Sequence, residues 1–261
     1  MDRDVNAFAA ADAWRVAALS AMGREELAAA LSGSNAFAWV MAAAKAGLTE
    51  AQMRLGRMLL AGERTRRDEA AAFGWFARAA ETGLADAHNM LGRCFENGWG
   101  AGRDLARAAH HYRTAAEAGD DWAQYNLGHL HLDGLGVARD LEAAFGWYAK
   151  AAGQGHIRAM NLLARCYEHG WGAAPDMALA RAWYRKSAEG GYFRGAYNYA
   201  TLLVAEGCIA GAALWFERAL AAAPQPTRSA MATALSSSLH AELRRLGLGM
   251  NAQAGATEGL I

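Results

Sequence analysis

The 261-residue chain sets 26 Lys and Arg against 26 Asp and Glu, and this zero net charge excludes the strongly basic character that nucleic acid or an anionic membrane would call for. Its length supplies ample core material, and no run of about 18 uncharged apolar residues offers a membrane span. The opening "MDRDVNAFAAADAW" lacks the basic head of a secretory signal and the three cysteines are an odd number, so a cytoplasmic protein with free thiols is expected.

In chain order, residues 1–50 read as N-terminal capping helices. They include a degenerate first repeat, in which "AFAWVMAAAKAG" is the second half of a unit whose first half, around Arg15 to Met22, has drifted. From residue 51 the chain is periodic. Trp75, Trp147 and Trp183 fall on a lattice of 36 residues, with His111 at the missing node and Trp39 one step upstream. Gly47, Gly83, Gly119, Gly155 and Gly191 keep that period. So do Gly62, Gly98, Gly134 and Gly170, and likewise Asp68, Asp104, Asp140 and Asp176. Four columns in one register define an internal repeat. Units 51–86, 87–122, 123–158 and 159–194 are complete; a fifth, 195–222, is shortened in the loop between its helices, since Trp215 follows Trp183 by 32 residues.

Each unit reads as two helices. In Ala123–Asp133, the small or apolar Ala123, Leu127, Gly128 and Leu130 recur at three- and four-residue steps. Gly134 and Gly136 stop this helix, and Asp140 is placed to cap the next through its carboxylate. The second helix carries Ala143, Ala144, Trp147, Tyr148, Ala151 and Ala152, and Gly155 closes it. Alanine and glycine faces let helices approach closely, with Trp147 and Tyr148 expected to wedge the gap to the next pair. Past the last unit, Pro224 and Pro226 end the repeat helix. A C-terminal capping helix is expected over 223–247, capped by Thr227 or Ser229 and stopped by Gly247, followed by a flexible tail over 248–261.

The pattern A-x-x-x-L-G, then G-x-G, then D-x-x-x-A-x-x-W-Y-x-K-A-A-x-x-G resembles the Sel-one-like repeat family, a branch of the tetratricopeptide-type solenoids. Ala123, Leu127, Gly128, Gly134, Gly136, Asp140, Ala144, Trp147, Tyr148, Ala151, Ala152 and Gly155 supply the match, which extends roughly from Trp39 to Leu220. The resemblance implies an all-α, right-handed superhelical solenoid of helix-turn-helix repeats with capping helices at both ends, serving as a scaffold or adaptor. Many secreted relatives staple each hairpin with a disulfide, and the paired cysteines are missing here. Glu63 and Arg64 break the first G-x-G, so that loop is expected to differ in shape, and His111 in place of Trp gives the second unit a more polar spot.

Candidate chemistry is sparse. Cys94 and Cys166 sit two repeats apart and, with helices packing about 8–10 Å apart, lie too far from each other for a disulfide or a shared metal. Both read as buried thiols, and Cys208 has no partner. His110 and His111 diverge by about 100° on their helix, His129 and His131 by about 200°, and His156 and His169 sit in no metal-binding spacing. There is no phosphate-binding loop, dinucleotide fingerprint or nucleophile elbow. No catalytic residue, cofactor or metal is therefore expected.

One column stands out. The residue after the glycine of L-G is Arg57, Arg93, His129, Arg165 and Thr201 in turn. By similarity to tetratricopeptide-type folds it faces a concave groove. Asn89, Tyr125, Asn161 and Tyr197 lie one turn earlier, beside Asn126 and Asn198. Two readings stand. A ladder of cations attracts an acidic or carboxylate-bearing peptide, whose backbone the amides and phenols hydrogen-bond. Alternatively, Arg93 with Glu96 and Arg165 with Glu168 are ordinary exposed pairs worth a few tenths of a kcal/mol, and the asparagines tie neighbouring repeats together. Trp99 and Trp171, inside G-x-G loops, read as loop packing or, if exposed, as binding anchors. The expected function is a scaffold for another protein or peptide, without nucleic acid or membrane. The rivals are an enzyme or metal-handling protein using groove His, Cys and Glu, and a nucleic-acid-binding solenoid.

Overall fold

The periodicity is realised as a succession of helices of nearly constant length. The computed structural model describes residues 35–258, with side chains to residue 250, together with residues 15, 17, 18 and 33. Among them every regular element is a helix. The chain divides into two compact units, Met1–Arg139 and Asp140–Ile261. The first holds α1 (Ala36–Lys45), α2 (Thr49–Ala61), α3 (Glu69–Ala80), α4 (Ala85–Asn97), α5 (Leu105–Glu117) and α6 (Asp121–Asp133). The second holds α7 (Leu141–Gly153), α8 (Ile157–His169), α9 (Met177–Glu189), α10 (Phe193–Ala205), α11 (Ile209–Ala222), α12 (Gln225–Ser236) and α13 (Ala241–Glu258). Within each unit consecutive helices pack on one another, and the first helices of adjacent hairpins also touch, α4 on α6 and α8 on α10.

Local chemistry sets the helix ends. Asp68, Asp104, Asp140 and Asp176 each accept a hydrogen bond at 2.9 Å from the backbone N–H three residues on, at Ala71, Arg107, Ala143 and Leu179. At the far end of each first helix Gly98 and its equivalents take the left-handed conformation, φ 77° for Gly98. The second glycine of G-x-G has a steric duty as well. Gly136 sits at φ 70°, and a Cβ there would run into the backbone of Leu105 and Ala106 at the start of α5. In the first repeat Arg64 occupies this position. It adopts φ 59°, the one positive φ outside glycine among the described residues, and its guanidinium donates to the carbonyl of Gly33. That loop therefore keeps the backbone shape of the others, where a different one was expected.

In the first unit the core sets aromatic rings on glycines. A Cβ on Gly56 or Gly92 would come within 2.5 Å of the ring of Phe76 or Tyr112 respectively. Phe76, Tyr112, Tyr148 and Tyr184 are all buried. The wedge expected of Trp147 and Tyr148 together belongs to Tyr148 alone. Trp147, one position earlier and so about 100° round the helix, is half-buried with the Lys150 ammonium 4.0 Å from its ring centroid. Arg78 over Trp75, Lys186 over Trp183 and Arg218 over Trp215 repeat the arrangement at 4.7, 4.2 and 4.5 Å.

Both ends depart from expectation. Of the drifted half-repeat, Arg15, Ala17 and Ala18 are described, each helical, and its other residues lie outside the described set. At the C-terminus the single capping helix is in fact two. The hydroxyls of Ser236 and Ser237 bond back to the carbonyls of Thr233 and Ala234, and the hydroxyl of Ser238 accepts from the His240 N–H; side chains competing for the backbone break the helix here. Pro226 lies in the first turn of α12, so Thr227 and Ser229 are inside the helix, not caps. Gly247 is no stop either: α13 runs through it to Glu258, so helix replaces the expected tail up to that residue. Gly247 is there because the two helices touch; a Cβ would lie 2.6 Å from the Ala232 carbonyl oxygen.

Candidate peptide-binding site

The residues singled out by the sequence lie on the first helices of the hairpins: Arg57 on α2, Asn89 and Arg93 on α4, Tyr125, Asn126 and His129 on α6, Asn161 and Arg165 on α8, and Tyr197 and Asn198 on α10. Helical geometry puts Asn89 and Arg93, like Asn161 and Arg165, one turn apart on one face.

The structure brings the asparagines together. Asn126 Nδ2 donates to Asn89 Oδ1 at 3.2 Å, and Asn198 Nδ2 to Asn161 Oδ1 at 2.9 Å. Asn89 and Asn161 are buried and their partners half-buried, so these bonds tie one hairpin to the next. Arg57, Arg93, His129 and Arg165 are held in three different ways. Arg57 forms an ion pair with Asp86. His129 lies edge-on to Tyr125, with ring centroids 4.7 Å apart. Arg93 and Arg165 lie over the rings of Trp99 and Trp171, at 5.4 and 4.9 Å from the centroids. Tyr197 packs edge-to-face on Phe216, 5.2 Å between centroids.

The expected surface pairs of Arg93 with Glu96 and Arg165 with Glu168 give way to another arrangement. Glu96 Oε2 accepts the hydroxyl of Tyr112 at 2.6 Å, and Glu168 Oε2 that of Tyr184 at 2.5 Å. Burial and the neighbouring glutamate raise both phenols far above their ordinary pKa, so each stays a neutral donor. Neither Arg93 nor Arg165 lies within 4.0 Å of a carboxylate among the described residues. The loop tryptophans, legible in the sequence only as loop packing or anchors, are thus platforms that order a guanidinium. The signal was the recurrence of Glu and Trp at twice the repeat length, beside an Arg and a Tyr.

The other candidate groups are accounted for. Cys94 and Cys166 are buried, and burial pushes their thiols up to about 11 and about 12, so they stay protonated at neutral pH. Cys208 is exposed. His110 and His111 diverge, but the fold carries His111 to His88 on the neighbouring helix, Nδ1 to Nδ1 3.1 Å. Among the described residues no group of three or more His, Cys, Asp or Glu side chains is placed to hold a metal, and no helix is long and apolar enough to cross a membrane.

Helical hairpins stacked in register, with loops closed by paired glycines, define a repeat protein of the tetratricopeptide-like class. The Sel1 repeat family matches residues 49–84, 85–120, 123–156 and 157–192, more than half of the chain, and the protein belongs to that family. Sel1 repeats are in general protein-interaction scaffolds. Comparison with curated proteins gives no match. Solved structures share the fold. A Sel1 repeat protein from Oxalobacter formigenes is 23% identical with a TM-score of 0.74, over 88% of this chain and 98% of that one. A protective antigen present in uropathogenic Escherichia coli is 24% identical with a TM-score of 0.69; the match covers 97% of this chain but 55% of the antigen's, so this chain spans about half of it. An immunity protein from Pseudomonas aeruginosa is 18% identical with a TM-score of 0.52, over 78% and 80%.

Proposed function

We propose that the protein is a scaffold that binds acidic or carboxylate-bearing peptide segments of another protein on the first-helix face of its hairpins. The observation that carries this reading is the pair of guanidiniums, Arg93 and Arg165, each held on an indole with no carboxylate within 4.0 Å among the described residues. An arginine already stacked loses less rotamer freedom on binding, and its planar fork accepts a carboxylate bidentately. Arg57 contributes less, because Asp86 compensates its charge. The asparagine pairs serve first as ties between hairpins and keep the face rigid, so binding needs no reorganisation of the scaffold.

Reversal of both arginines, Arg93→Glu with Arg165→Glu, tests this. Titration calorimetry with an acidic peptide should give binding that weakens with added salt. The double reversal should lower the affinity at least about tenfold, a change of about 1.4 kcal/mol, with thermal stability nearly unchanged. Undiminished affinity in the double variant would overturn the reading. Affinity capture from native lysate with wild type against the same variant would then name the partner.

A further inference from the structure

Resting on the acidic-peptide reading, we infer that the chain carries two equivalent sites, one inside each compact unit, and that it takes two copies of the same acidic element.

Positions that serve the hairpin alone recur in each of the four complete repeats, as the Asp caps and the stop glycines do. The positions around the stacked guanidinium follow a longer rule. Arg93, Glu96 and Trp99 return as Arg165, Glu168 and Trp171, whereas the repeat between them has His129, Leu132 and Leu135; the tyrosine is common to all three, as Tyr112, Tyr148 and Tyr184. The alternation reaches the geometry. In both copies the guanidinium lies over the loop indole, at 5.4 and 4.9 Å, and the tyrosine hydroxyl occupies the glutamate, at 2.6 and 2.5 Å. The glutamate accepts from tyrosine and makes no ion pair with the arginine three residues earlier, whose guanidinium lies on the indole.

The asparagine ties share the doubled period. Asn126 bonds back to Asn89, and Asn198 to Asn161, so each cationic hairpin is locked to the hairpin that follows it. The functional module is therefore two hairpin fronts: α4 with α6 in the first unit, α8 with α10 in the second. Every residue of a copy lies within a single unit, so each site is complete by itself. A partner presenting two acidic elements would gain avidity from the pair, whereas a short peptide would fill each independently.

The probe is an acetylated hexapeptide of alternating Glu and Ser with a free C-terminal carboxylate, added to the full chain while the indole N–H resonances of Trp99 and Trp171 are followed by NMR. Calorimetry on the same sample gives the stoichiometry. Two peptides per chain and titration of both indoles at similar concentrations are expected. Arg93→Glu should silence the Trp99 response and leave that of Trp171, and Arg165→Glu the reverse; Arg93→Gln and Arg165→Gln, polar but neutral, guard against a folding defect. A response at one indole, with one peptide bound, overturns the duplication and leaves the acidic-peptide reading standing. A response at neither overturns both.

Discussion

The hydroxyl of Tyr112 donates to the Glu96 carboxylate at 2.6 Å, reaching it across the pair of helices α5 and α4. The same ring lies over Gly92, one turn before Glu96. One side chain thus fills the core with its face and fixes the glutamate with its tip, and Tyr184 with Glu168 repeats the bond at 2.5 Å.

Gly92→Ala should therefore destabilise the protein, although alanine is the better helix former. The new methyl would sit 2.5 Å from the Tyr112 ring, and overpacking of this kind costs about 1–3 kcal/mol. Gly146→Ala, also within a helix, meets nothing within 4 Å and should stabilise by up to about 1 kcal/mol. Urea denaturation of the two variants checks the opposite signs; destabilisation by both would mean that packing is not what selects the glycine.

Tyr148→Ala should be much more damaging than Trp147→Ala. Tyr148 is fully buried, so its loss should cost about 3–5 kcal/mol. Trp147 is half-buried, and its Lys150 contact is worth about 0.5–1 kcal/mol at such a site, so thermal melting should rank the smaller tyrosine above the larger tryptophan.

Asp104→Ala and Asp140→Ala should each lose about 1 kcal/mol through the missing N-cap bond, with the helical circular dichroism of the folded state retained. Asn in place of Asp keeps an acceptor and should recover most of that stability.

Acid should weaken the first unit through His88 and His111. Burial, then the neighbouring His88, His110 and Arg107, depress His111 to about 4; burial and then His110 lower His88. A depressed histidine favours the neutral folded form, so the unfolded chain takes up the proton first. The stability contributed is whole above pH 6.5 and falls away as the pH drops toward 4. His111→Leu should flatten the dependence between pH 7 and 5 in urea midpoints; an unchanged slope would place the acid sensitivity elsewhere.

The sequence alone determined the hairpin repeat and its punctuation. A capping carboxylate, a left-handed glycine and a run of small residues act within a few residues of themselves, so their spacing is their meaning. Gly134 and Asp140 could be assigned before any contact was known. Only the tertiary structure decided which of Trp147 and Tyr148 enters the core, because neighbours on a helix differ by about 100° and the crossing of the next helix chooses between them. The same holds for the partner of Glu96, which is Tyr112 and not Arg93, for the meeting of His88 with His111, and for the asparagine pairs 37 residues apart. Residues on different helices meet where packing brings those helices together, and a linear period records the beat of that packing without its contacts.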